Sequence, residues 1–243
     1  LSGHLGGANR LSEIVAAEIG AVPVITTATD VGGKFSPDSF ARANGLIISD
    51  ISAAKEIASA VLDGETAGLC SEYPCVNIPG ELSAGSENRV GICISPDRSK
   101  KPFPVTLNLV PRNIIVGIGC KRGTSCGRIE AHVMRCLEAA GVDAERICAA
   151  ATIDIKSDEA GLLEFCRNHA VRLLTFSGGE LTQAHGSFSH SDFVQEHTGV
   201  DNVCERSAVC AGGRLFFPKT AWNGVTAALA ELPVTIDFER KIL

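Results

Sequence analysis

No segment of this 243-residue chain is apolar for long enough to span a bilayer. The longest strongly apolar runs, 113–119 and 172–176, fall far short of the roughly 20 residues a membrane helix needs. No secretory leader is visible, so reduced thiols in a cytoplasm and no membrane partner are expected. The ten cysteines lie at irregular spacings without a C-x-x-C pair, which gives no zinc, iron–sulfur or disulfide pattern. Aromatics are scarce: one Trp, one Tyr and ten Phe leave little for stacking on successive bases. A net charge of −6 also argues against a nucleic-acid partner. Acidic residues are missing from 98–129, a stretch that carries seven basic ones. That local excess suits an anionic small molecule better than a polyanionic duplex, with solvated loop charges as the competing explanation. What is present is ordinary for a globular chain. Hydrophobic residues make up 45% and charged residues 21%, enough for a core, which excludes disordered and fibrous classes.

The hydrophobic pattern alternates between strand and helix periods, so the fold class is α/β with mainly parallel sheets. The chain opens on a glycine-rich loop, 1–9, and runs directly into a helix whose face is Leu11, Ile14, Val15 and Ile19. Such a loop normally hangs from a strand, so strands are expected ahead of residue 1. A strand over 21–27, a helix opened by Ser36-Pro37, a short strand at 46–48 and a helix ending at Gly64 follow. Residues 65–111 are punctuated by prolines and hold short strands at 68–70, 90–94 and 105–110. A second α/β unit then begins: strand 113–118, helix 125–140, strand 147–153, helix from Ser157 to His169 and strand 171–176. Segment 178–191 reads as a Gly/Ser-rich loop, followed by helices around 193–197 and 205–211 and strands 215–217 and 225–229. Three divisions result: 1–64 as part of an α/β domain, 65–111 as a small β-rich middle module, and 112–243 as a carboxyl-terminal α/β domain.

Several clusters carry chemistry. In 1–9, Gly6, Gly7 and Asn9 allow close approach of an anion to backbone N–H groups before a helix, and His4 offers an acid or base near neutral pH. Thr26, Thr27 and Asp30 stand at the carboxyl end of a strand, where open α/β sheets gather ligands. A turn that satisfies its own backbone is the plainer explanation. Gly117 and Gly119, with Lys121 and Arg122, follow the next strand and resemble an anion nest. The spacing is neither the dinucleotide fingerprint nor a P-loop. Lys156 sits at another strand end. Glu205 with Arg206 at a helix start is usually structural. A metal site at His185, His190 and His197 is disfavoured.

The combination Leu1-Ser2-Gly3-His4-Leu5-Gly6-Gly7-Ala8-Asn9, Pro23-Val24-Ile25-Thr26-Thr27-Ala28-Thr29-Asp30 and Val116-Gly117-Ile118-Gly119-Cys120-Lys121-Arg122-Gly123-Thr124 resembles the CbiG family. The stretches 152–162 and 203–208 are also similar to it, and the chain from about Arg112 resembles the stand-alone CobE domain. The resemblance implies a cobalt-precorrin-5A hydrolase of the anaerobic cobalamin pathway. Such an enzyme opens the δ-lactone of its substrate and releases acetaldehyde to give cobalt-precorrin-5B. The substrate is then a cobalt tetrapyrrole fringed with carboxylates, the metal arrives with it, and neither a protein metal site nor a cofactor is required. Neighbouring pathway enzymes are the possible protein partners. Residue chemistry gives His4 the role of base and Gly6 and Gly7 that of oxyanion donors. Asp30 and Glu205 are secondary acid/base candidates, and Lys121, Arg122 and Lys156 grip carboxylates. A non-catalytic corrinoid carrier is the alternative, and a nucleotide-binding transferase a distant third.

Overall fold

A computed structural model of the chain describes residues 8–22, 34–85 and 87–241. It divides into two compact units, one reaching to Pro111 and resuming at Val234, the other Arg112–Pro233. No helix among the described residues is long and apolar enough to cross a membrane.

In the first unit, α1 (Ala8–Glu18) carries the expected helical period, and its Leu11, Ile14 and Val15 are exposed, as is Ile19 just beyond its end. Pro37 opens α2 (Pro37–Ala43), where its missing N–H costs nothing. Asp50 caps α3 (Ile51–Leu62) by accepting from the amides of Ser52 and Ala53. Five strands form one sheet in the order β1 (Leu46–Ile48), β6 (Val105–Pro111), β5 (Val90–Ile94), β2 (Ala67–Ser71), β4 (Leu82–Ser83). Every pairing is parallel except β1 with β6. Ala53, Ile57 and Val61 of α3 belong to the same core as Ile92, Ile94, Leu107 and Leu109. Residues 46–62 thus lie on one sheet with the strands of 65–111, rather than with a separate module before them. The apolar face of α3 needs that sheet to bury it. The last residues also depart from the expected carboxyl-terminal domain: β12 (Ile236–Asp237) pairs in parallel with β3 (Cys75–Val76) of the first unit.

The second unit places the candidate site. Its sheet runs β10 (Arg214–Trp222), β11 (Val225–Glu231), β7 (Ile114–Cys120), β8 (Ile147–Ile153), β9 (Arg172–Phe176). β7, β8 and β9 are parallel, and the hairpin β10–β11 adds two antiparallel strands. On one face α4 (Cys126–Ala140) and α5 (Ala160–Asn168) bring Ile129, Val133, Leu137 and Phe165 onto Val116, Ile118 and Ala150. Each such side chain, fully buried, stabilises by about 2 kcal/mol. On the other face Ala208 of α8 (Val203–Cys210) joins Ile115, Ala151 and Ala230.

Several boundaries differ from expectation; β10, expected over 215–217, continues to Trp222, and α8 begins at Val203 rather than 205. A 3₁₀ turn at Asp154–Lys156 delays α5, so Glu159 rather than Ser157 stands at its N-cap. Segment 178–191 is not wholly loop: α6 (Gly178–Gln183) forms behind a capping box in which Ser177 and Glu180 satisfy each other's backbone amides. Ser191 precedes α7 (Asp192–Thr198) as expected, without a side-chain cap bond.

Candidate functional site

A cavity of about 660 Å³ opens at the carboxyl ends of β7 and β8, bounded by α7, the start of α8 and the β10–β11 hairpin. Ligands of open α/β sheets gather at this edge because loops and free helix ends converge there. Ile153, Ile155, Val194, Val203, Ala221 and Val225 supply apolar walls. Lys121, Arg122, Lys156, Lys219 and His197 also line it, and no acidic residue does among those described. An apolar body carrying anionic groups fits that lining.

The expected glycine nest is used differently. Gly117 and Gly119 lie inside β7, paired with Ala228 and Thr226 of β11. A β-carbon on Gly117 would stand 1.8 Å from the Cys204 carbonyl oxygen, so this glycine lets α8 approach the sheet rather than receiving an anion. The turn proper begins at Lys121, and its free amide is already occupied: Gly123 N–H donates to Oε1 of Glu159 at 2.6 Å. Glu159 is buried, and its Oε2 lies 3.4 Å from Lys156 Nζ and 3.8 Å from Arg122 Nη1. The chain's own carboxylate therefore fills the nest, with the two predicted cations beside it.

Arg122 is committed further, donating to Asp158 at 2.5 Å and to the Ile155 carbonyl at 3.1 Å. This hydrogen-bonded pairing holds the Asp158 carboxyl below its usual range and raises the guanidinium. Lys121 has no ion pair among the described residues. Cys120 lines the cavity, and burial pushes its thiol up, which disfavours the thiolate a nucleophile needs. Residues 123–127 have the G-x-S-x-G spacing of a serine-esterase elbow. Ser125, however, adopts the ordinary extended conformation of an N-cap, φ −69° and ψ 150°, not a strained one.

Glu205 departs most from its expected acid/base role. It is fully buried and does not line the cavity. Its Oε2 accepts from Asn202 Nδ2 at 2.6 Å and from Ser189 N–H at 2.8 Å, and its Oε1 accepts from Lys219 N–H at 2.6 Å. A carboxylate so occupied ties three segments together. Arg206 pairs with Asp201 at 2.7 Å, the structural role expected of it. His190 sits between Asp192 and Asp201, whose hydrogen bonds raise its pKa, Asp192 contributing most. His4, Gly6, Gly7, Thr26, Thr27, Asp30 and the Asn9 side chain lie outside the described residues. Lys219 is the cavity cation that sequence reasoning missed, since it lies in a strand longer than its apolar run showed.

Fold and cavity together define an open α/β protein, with helices on both faces of one sheet and a basic, apolar-walled cavity at the carboxyl ends of its parallel strands. Family profiles described as cobalamin synthesis G N-terminal, cobalamin biosynthesis central region and cobalamin synthesis G C-terminus match residues 1–30, 35–111 and 114–230. A cobalt-precorrin-5A hydrolase of Priestia megaterium is 31% identical over 96% of this chain and 68% of the relative. A protein of the same name from Salmonella typhimurium is 31% identical over 94% of this chain and 69% of the relative. The crystal structure of CobE, from the cobalamin (vitamin B12) biosynthetic pathway, aligns at 28% identity over 50% of this chain and 92% of that one, with a TM-score of 0.47. The chain belongs to the cobalamin synthesis G family, CbiG.

Proposed function

We propose that the chain acts as a cobalt-precorrin-5A hydrolase in cobalamin biosynthesis, the activity for which its curated relatives are named. The observation that carries the reading is the cavity lining, basic and apolar with no acidic side chain among the described residues. A cobalt tetrapyrrole fringed with carboxylates has the complementary chemistry: an apolar ring for the walls and anions for the lysines. Cobalt enters as part of the substrate, and no resident cofactor is assigned. The work belongs in the cytoplasm, beside the enzymes that supply and take up the macrocycle.

Lactone opening needs a base to activate water, donors for the developing oxyanion, and a proton relay as the carbon–carbon bond to the departing acetaldehyde breaks. His4 is assigned the base, the backbone N–H groups of Gly6 and Gly7 the oxyanion donors, and Asp30 the second acid/base. Thr26, Thr27 and Asn9 are assigned to polar groups of the substrate. Glu205 leaves this set because its oxygens are already occupied.

The test is acetaldehyde release from cobalt-precorrin-5A. Wild type should release it, and His4→Ala should lower the rate by at least about 100-fold, the usual worth of a positioned base. Near-normal release by His4→Ala removes the base assignment. Tight tetrapyrrole binding by wild type with no release at all would favour a corrinoid carrier instead.

A further inference from the structure

The four cations on the cavity wall are not equivalent. Arg122 and Lys156 face Asp158 and Glu159, whereas Lys121 and Lys219 have no ion pair among the described residues. We propose that Lys121 and Lys219 form a two-point anchor for a ligand bearing two separated carboxylates on an apolar body. This deepens the hydrolase reading and rests on it for the identity of the macrocycle.

Both lysines are held from behind. Lys121 N–H donates to the Gly224 carbonyl at 3.2 Å, and its side chain runs across Gly224: a β-carbon there would stand 3.4 Å from Lys121 Cδ. Gly224 lies at φ +80° in the β10–β11 turn, where a side chain would be strained as well as crowding the lysine. Lys219 N–H is bonded to the buried Glu205 carboxylate, so Glu205 acts as a positioning residue for Lys219. The backbone at each lysine is thus fixed while its ammonium remains available.

The spacing sets the ligand class. Lys121 continues β7 and Lys219 belongs to β10, with β11 between them. Two strand spacings, about 10 Å, separate them across the sheet. Along it, Thr220 is level with Ile118 through Ala227, so Lys121 also stands three residues further on, about another 10 Å. Ala221 shares the cavity-facing side of β10 with Lys219, as alternation along a strand requires, and Thr226 of β11 and Gly119 of β7 pair across from it on that side. A floor of small residues, with Ile153, Val194 and Val203 on the walls and a cation on either side, suits carboxylates on different arms of one macrocycle. A compact phosphate or pyrophosphate reaches both cations only if the two side chains converge, so the pair favours the separated carboxylates.

Binding of uroporphyrin, an apolar ring with eight carboxylates, read from its absorbance shift, tests the pair beside turnover of cobalt-precorrin-5A. Lys121→Gln and Lys219→Gln should each weaken binding about tenfold and raise KM with little change in kcat, each losing one charge-assisted contact. Lys→Arg at either position should restore most of the affinity. Arg128→Gln, the same charge change at an exposed residue outside the cavity, should leave binding within twofold. Unchanged affinity in both Gln variants overturns the pair, as does failure of wild type to bind uroporphyrin, or pyrophosphate competing as strongly. Acetaldehyde release with unaltered KM in both variants removes the pair and leaves the hydrolase. Lysine-dependent binding without any release removes the hydrolase and leaves the pair.

Discussion

Glu159 and Glu205 show how one residue type reads alike in sequence and differs in place. Both stand at helix starts, where a carboxylate is favoured by the helix dipole, and that accounts for their presence without further detail. Neither spacing reveals the partners that matter: Gly123 lies 36 residues from Glu159, and Lys219 lies 14 residues beyond Glu205. Burial turns such a carboxylate into a tie, because each amide it accepts from would otherwise be left unsatisfied. Glu205→Ala leaves Ser189 N–H, Lys219 N–H and Asn202 Nδ2 without this acceptor and should destabilise the protein by about 3 kcal/mol, measured by urea unfolding. A loss under about 0.5 kcal/mol, the range of an ordinary surface substitution, would show that the carboxylate ties nothing.

Elements were legible wherever a short apolar run was bounded by turn residues. Strands at Val90–Ile94 and Ile147–Ile153 fall where the sequence placed them, since a fully buried strand is apolar along its whole length. Pro218 interrupts the pattern of β10, so the sequence shows only part of that strand. As an edge strand with two register shifts, it tolerates a residue without an N–H and continues to Trp222. α6 is illegible for the opposite reason: its cap is a Ser–Glu box set among glycines that signal a loop. β7 is legible, but its glycines read as a ligand nest, whereas Gly117 serves packing. Gly117→Ala drives a methyl group into the backbone of α8 and should cost about 3 kcal/mol or more, with loss of amide protection in Val203–Cys210. Gly127→Ala, in α4 with nothing within 4 Å of its β-carbon, should be neutral or stabilise by about 0.5 kcal/mol. Equal effects at the two positions would contradict the close contact of α8 with β7.

Over the whole molecule, the chain leaves its first unit after Pro111, builds the second, and returns at Val234. Sequence order hid this return, because ten residues with one short apolar stretch look like the end of the domain they follow. The returning segment is bound through backbone and core together. Ile236 N–H donates to the Pro74 carbonyl, Phe238 N–H donates to that of Val76, and Asn44 both donates to and accepts from the Asp237 backbone. Phe238 stacks on Phe40 at 4.4 Å between ring centres, and Ile236 is fully buried in the first unit's core. Residues 234–241 therefore complete the sheet-and-helix unit of 34–111, although the sequence between them folds elsewhere. Ile236→Ala should cost about 3 kcal/mol, since removing a buried branched side chain loses its transfer energy and leaves a cavity. The loss should appear as faster amide exchange in α3, β2 and β5, the elements whose core it shares. Unchanged protection throughout 34–111 would mean that the returning segment only rests on the first unit, and that its core is complete without it.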